Sequence, residues 1–370
     1  MGAYLGQEIG KRGFGMMRLP RKLARIDVGQ TAQMVDEFLA AGFSYFDTAW
    51  IYPGSEDAVR KALIERHPRE SFQLATKLNA MVAPTAGIAK KQFETSLKRT
   101  KAGYFDYYLL HTLMDSNIGH YERLGIWEFA LEQKAAGLVH HVGFSFHSGP
   151  ETLDKLLTEH PETEFVQLQL NYADWENPSV ASRANYEVAR SHNVPIVVME
   201  PVKGGKLANP PAAVRALLDE AAPNASYASW AIRFAASLEG IITVLSGMSN
   251  LDQMRDNLSY MCDFQPLTES ERAVLREAQR LMGCSNLIGC TACRYCVDGC
   301  PQGIAIPEIF EAMNQRLEGR RDEAQRAYAA ATAGANGADA CIGCGACEAV
   351  CTQNLRIIDH LNDCAKAFAH

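Results

Sequence analysis

The chain has 370 residues, 47% hydrophobic and 21% charged, which excludes the disordered and fibrous classes and suggests two domains of ordinary size. A net charge of −7 gives no electrostatic reason to bind nucleic acid or an anionic membrane. Eleven cysteines, an opening MGAYLGQEIGKRGFGMMRLP without an apolar signal segment, and no run of about 18 apolar residues point to metal binding in a reducing cytoplasm rather than to disulfides.

From residue 13 to about 246, short apolar runs alternate with stretches of helical period. The runs are GFGMM (13–17), FSYFDT (43–48), FQLATK (72–77), FDYYLLH (105–111), VHHVGFS (139–145), FVQLQLN (165–171), PIVVME (195–200) and GIITVLS (240–246). They read as buried strands, while TAQMVDEFLAAG, SEDAVRKALIER and AKKQFETSLKRT read as amphipathic helices. Eight such units predict a closed (β/α)8 TIM barrel. An open doubly wound sheet fits less well, because GFGMMR lacks the third glycine of G-x-G-x-x-G and opens no helix. Thr268 and Glu271 then stand at capping-box spacing before an apolar-periodic run. The chain therefore divides into a barrel at 1–265, a linking helix at 266–282 and a mainly α-helical, cysteine-rich unit at 283–370. Within that unit PEIFEAMNQRLEG and RRDEAQRAYAAA predict two helices, and GANGADA a flexible connection.

Cys290, Cys293, Cys296 and Cys300 follow C-x2-C-x2-C-x3-C with Pro301 next. Cys341, Cys344, Cys347 and Cys351 repeat the spacing, with Thr352 in the proline position. Such runs wrap three thiolates around one cubane while the fourth cysteine reaches the other cluster. One 4Fe-4S cluster is thus expected on Cys290, Cys293, Cys296 and Cys351, and a second on Cys341, Cys344, Cys347 and Cys300. Zinc also takes C-x2-C pairs, but in two pairs rather than two equally spaced quartets. The unit resembles the ferredoxin family, and the 40 residues between Cys300 and Cys341 resemble its helical-insert variety. Thr352 weakens the turn after Cys351, and Cys262, Cys284 and Cys364, which match nothing, are expected to be buried thiols.

In the barrel, Asp47, Lys77 and His111 end strands, and Tyr52 follows in the loop DTAWIYPGSE. Catalytic groups of such barrels sit at strand C-terminal ends, and costly buried charges need a reason. The chemical reason is a tuned acid: Lys77 lowers the Tyr52 pKa, Asp47 holds Lys77, and His111 orients a carbonyl. This set resembles the catalytic tetrad of the aldo-keto reductase family over residues 13 to about 258. That resemblance implies NADP or NAD as cofactor and Tyr52 as general acid. It further implies that Ser145 bonds the carboxamide and that Gln167, with Asn171 beside it, lies at the nicotinamide ring. SGMSNLDQMRDN (246–257) resembles the segment for the adenosine phosphate, ending in Asn257. Gly247 and Gln253 stand where relatives carry a lysine and an arginine, leaving Arg255, Lys203 or Lys206 as substitutes.

MRLP at 17–20 together with the paired-cysteine tail resembles the iron-sulfur-containing branch of that family. Nicotinamide exchanges two electrons together and each cluster one, so the clusters cannot feed it without a splitter such as flavin. Three readings follow. The first is an NAD(P)H-dependent reductase of a small carbonyl compound, its clusters serving structure, electron transfer or docking of a partner. The second is a reductase fed through the clusters by a ferredoxin or other electron-transfer protein, with or without flavin. The third is a nicotinamide-binding redox sensor with little turnover. Trp50, Trp127 and Trp175, expected near the mouth, suggest an apolar or aromatic substrate.

Overall fold

The computed structural model describes residues 5–6, 9–283 and 286–369. Eight parallel strands close into a barrel: β1 (Arg12–Gly15), β2 (Tyr45–Asp47), β3 (Gln73–Leu78), β4 (Phe105–Leu113), β5 (Val139–Phe146), β6 (Phe165–Gln169), β7 (Ile196–Met199) and β8 (Ile241–Ser246). Each lies on one of the apolar runs. The strands neighbour one another in chain order, and β8 returns to β1 through Arg12↔Val244 and Phe14↔Ser246.

Successive strand side chains point to opposite faces, so parity decides which residues enter the barrel. Tyr45, Ala75, Tyr107, Phe165 and Val197 share one buried cluster. Tyr45 and Tyr107 meet edge to face at 5.0 Å although their strands are not neighbours, which places the cluster inside the barrel. Phe46, Leu74, Tyr108, Val166 and Val198 have the other parity and join the core between strands and helices. Helix α1 (Val28–Ala40), capped by the Asp27 carboxylate on the Gln30 amide, lays Phe38 against Phe46 at 5.3 Å in that outer core. Two residues beyond the inner layer, the same parity brings up Asp47, Lys77 and Gln167, with His111 one further step along β4.

Helix α2 (Leu251–Met261) follows β8, and α3 (Glu269–Gly283) begins at the expected capping box. There the Thr268 amide donates to Glu271 Oε2 at 2.8 Å and the Glu271 amide to Thr268 Oγ1 at 3.3 Å. Rather than hanging free as a spacer, α3 buries Leu275 and Ala278 beside Val214, Leu218 and Trp230 on the barrel's flank. The tail contributes α4 (Tyr295–Asp298), α5 (Ile306–Leu317), α6 (Arg321–Thr332) and α7 (Ile357–Phe368). Ile309, Phe310, Ile357, Leu361 and Phe368 make its core, with Phe368 stacked on Tyr328 at 4.3 Å. Cys364 is buried there. Cys262, expected to be buried, is exposed: it stands just past the last turn of α2, beyond the buried stripe of Met254, Asn257 and Met261. Cys284 lies outside the described residues. Among the described residues no helix is long and apolar enough to cross a membrane.

Candidate active site and cluster sites

The strand-end groups meet at the C-terminal mouth of the barrel. Lys77 Nζ donates to Asp47 Oδ1 and, at 2.7 Å, to the Thr48 carbonyl. Gln167 Nε2 donates to the other Asp47 oxygen at 3.1 Å, so both carboxylate oxygens are engaged. The Tyr52 ring stands edge to face with His111 at 5.7 Å, and Lys77 Nζ is 5.2 Å from the Tyr52 ring centroid. One constellation is thus assembled from β2, the loop after it, β3 and β4.

Its electrostatics differ from the expectation in one respect. Burial pushes the Tyr52 phenol well above its ordinary range, and Tyr295, Asp47 and Glu200 push the same way. Lys77 is engaged first by Asp47, and burial with the neighbouring acidic groups outweighs any lowering it brings. Tyr52 therefore keeps its proton. Burial lowers Lys77 and raises Asp47, each opposed by the attraction of the other. Burial, then Lys77 and His147, hold His111 well below its usual value, so its imidazole is neutral.

The residues expected at the cofactor are divided in their surroundings. Ser145 Oγ accepts from the Thr112 amide at 2.7 Å beside the tetrad. Asn171 Nδ2 donates to Asp174 at 2.8 Å and to the Glu200 carbonyl at 3.2 Å. Asn257 is buried and accepts from Arg12, a wholly buried cation whose guanidinium burial lowers to about 10. Gly247 and Gln253 are exposed around the first turn of α2, where Gln253 Oε1 accepts from the Ser249 amide at 2.7 Å. The three alternative cations are engaged elsewhere: Arg255 with Glu37 at 2.7 Å, Lys203 with Asp174, and Lys206 with the Ile288 carbonyl at 3.0 Å.

The cysteines fall into two groups. Cys300, Cys341, Cys344 and Cys347 line one pocket, walled by Ile304, Ile306 and Leu361. Cys290, Cys293 and Cys351 lie close enough to Cys296 to raise its thiol beyond what burial does. Each group joins three members of one run to the fourth of the other. Among the described residues no three histidines, cysteines or carboxylates converge tightly enough for a single ion. Two quartets of thiols suit clusters, whose soft iron takes thiolate. Thr352, in the proline position, is buried with its hydroxyl 3.6 Å from Cys293 Sγ.

The tail folds back over the barrel mouth. Arg18 Nη2 donates to the Thr291 carbonyl at 2.8 Å, Ser116 Oγ to the Ala349 carbonyl at 3.0 Å, and Asn354 Nδ2 to the Ser179 carbonyl at 2.7 Å. The buried amides of Gln169 and Gln353 exchange hydrogen bonds of 3.0 Å. Gly204, at φ +64°, lies so close that an added Cβ would stand 2.5 Å from the Thr291 carbonyl oxygen. Tyr295, between Cys293 and Cys296, reaches the tetrad: its hydroxyl is 3.4 Å from His111 Nε2 and contacts the Tyr52 phenol. Tyr295 and Glu200 escaped the sequence reading. Glu200 ends PIVVME as Asp47 and Lys77 end their runs, so the strand-end rule could have found it; nothing in CRYC says where Tyr295 goes. Of the tryptophans, Trp50 lines an open space with Tyr52, Trp175 packs on Phe234 at 5.3 Å from the loop after β6, and Trp127 is claimed by helix packing, stacked on His160 at 3.9 Å.

Residues 12–280 match the aldo/keto reductase family, and residues 289–355 match a 4Fe-4S dicluster domain. The uncharacterised oxidoreductase YqkF of Bacillus subtilis (strain 168) is 23% identical over 305 residues, 73% of this chain and 92% of that protein. The holo form of aldo-keto reductase AKR11C1 from Bacillus halodurans is 25% identical with a TM-score of 0.58, over 72% of this chain and 91% of that one. An aldo/keto reductase from Klebsiella pneumoniae in complex with NADP and acetate is alike in fold, with 19% identity and a TM-score of 0.59 over 72% and 90% of the two chains. The matched span covers the whole barrel and its strand-end groups, and the chain belongs to the aldo/keto reductase family, as an oxidoreductase barrel carrying a 4Fe-4S dicluster domain.

Proposed function

We propose that the barrel, residues 1–265, reduces an aldehyde or ketone with NAD(P)H, that 266–282 links it to the tail, and that 283–370 holds two 4Fe-4S clusters. The observation that carries this reading is the tetrad: a protonated phenol, a neutral imidazole and a Lys77–Asp47 pair at one barrel mouth. Bound nicotinamide would supply the hydride. Tyr52 gives its proton to the carbonyl oxygen as charge develops there, and His111 orients that oxygen. Lys77 stabilises the phenolate left behind, with Asp47 and Gln167 fixing its position. Gly247 and Gln253, exposed at the start of α2, lie on the phosphate side in this reading, and Ser145, Gln167 and Asn171 on the ring side. Replacing Tyr52 by Phe is expected to leave nicotinamide binding intact and cut reduction of a simple aldehyde at least about 100-fold. Unchanged turnover sinks the assignment.

A second reading is favoured by Tyr295, which joins a cysteine run to the tetrad. The clusters would supply single electrons, and a ferredoxin would be the donor. Reduced viologen driving carbonyl reduction without NAD(P)H is the outcome that would replace the first reading by this one.

A further inference from the structure

His111 is flanked by two phenols, each edge-on to it: Tyr52 at 5.7 Å and 78°, Tyr295 at 6.2 Å and 84°. Tyr52 belongs to the barrel, whereas Tyr295 enters from the tail. The Tyr295 hydroxyl contacts the Tyr52 hydroxyl and lies 3.4 Å from His111 Nε2, a long hydrogen bond. His111 Nδ1 is buried without a partner. On the tetrad reading the Tyr52 hydroxyl and His111 Nε2 are the two groups a carbonyl oxygen takes as donors, and the Tyr295 oxygen stands against both.

We infer that Tyr295 is a specificity-determining residue of the barrel site, its hydroxyl holding the seat between Tyr52 and His111 that a carbonyl oxygen must take. A substrate enters by displacing Tyr295, and the segment carrying Cys290, Cys293 and Cys296 moves with it. That segment is held from both sides: Arg18 grips the Thr291 carbonyl, Lys206 grips the Ile288 carbonyl, and Gly204 lets Thr291 approach. Every carbonyl compound then competes with an internal phenol, and a compound that binds the two donors weakly is refused.

The inference rests on the tetrad reading but is tested without turnover. Benzaldehyde binding is measured by calorimetry on the full chain with its clusters and with NADP⁺, which cannot give a hydride. In Tyr295→Phe the ring and its packing stay while the competing hydroxyl goes, so the apparent Kd is expected to fall about two- to tenfold, the worth of one net hydrogen bond. An unchanged or higher Kd, or no binding by either protein, overturns the inference. Should the variant fail to assemble its clusters, hydrogen exchange on the parent protein decides instead. Amides between Ile288 and Cys300 should exchange faster when benzaldehyde is added, and no change there overturns the inference. A parent protein that lacks NAD(P)H-dependent turnover but passes these measurements would refute the proposed reaction and leave Tyr295 in its role.

Discussion

The barrel and the tail solve the problem of buried reactive groups in opposite ways. In the barrel the charges are answered by the chain itself: Lys77 by Asp47 and the Thr48 carbonyl, Asp47 also by Gln167. In the tail, burial pushes the Cys290 thiol up to about 11 and raises Cys351 as well, with neighbouring cysteines adding to both. Ligation to iron needs thiolates, so cluster binding works against that trend, and its free energy becomes folding free energy of the tail. The barrel is thus built to stand on polypeptide contacts, and the tail on its inorganic groups.

The strongest challenge to that contrast lies at Lys77. Lys77→Met leaves Asp47 buried without its cation and is expected to destabilise the protein by about 3–5 kcal/mol, while lowering carbonyl reduction at least about 100-fold. Denaturant titration and steady-state rates check both, and the Asp47→Asn, Lys77→Met pair should regain part of the stability but none of the rate. Next in size is Cys351→Ala, which removes the ligand that the second run lends to the first. Iron per chain should fall from about eight to about four with the barrel's thermal transition unchanged. A variant that keeps all its iron breaks the crossed arrangement.

At the seam between the two regions the effects shrink. Gly204→Ala puts a methyl group against the Thr291 carbonyl and is expected to loosen docking by about 1–3 kcal/mol, as overpacking does. Limited proteolysis of the tail at 286–300 reads it, and unaltered protection would mean that the seam yields freely. The smallest expected change is at the linking helix, where Thr268→Ala removes a cap worth about 1 kcal/mol. A denaturation midpoint that shifts for barrel and tail together would show that α3 is common to both.

Much of this arrangement can be read in the chain, for reasons that differ by region. Strands such as FDYYLLH and PIVVME announce themselves because both faces are buried, and once the barrel is inferred, parity carries Asp47, Lys77, Gln167 and His111 to one mouth. The cysteine runs are legible because spacing within a tight turn is already geometry, so Cys300 and Cys351 could be exchanged between quartets on paper. What stays hidden depends on docking. Tyr295 and Gln353 act on residues more than a hundred positions away, and Tyr52 keeps its proton because burial, completed by the docked Tyr295, pushes its phenol up, which local pattern could not supply. Trp127 shows the converse: an aromatic residue near a loop was read as a mouth residue, and its helix packs it against His160 instead.

The supports beneath the tail are uneven, and that sets the way it can move. Near the end of α3 the Arg18–Thr291 and Lys206–Ile288 bonds are partly buried, with Gly204 interlocked against Thr291. Across the rim, Ser116–Ala349 and Ser179–Asn354 are single bonds on exposed groups, while Gln169–Gln353 and the bond of His147 to the Thr352 backbone are buried latches. Each exposed bond is worth about 1 kcal/mol net, and every 1.4 kcal/mol is tenfold in population. A body pinned firmly along one edge and lightly along the other swings like a door instead of lifting. Its axis runs beside β7, and its free edge, around residues 349–354, crosses β4 to β6, so the tail opens first over Ser116 and Ser179.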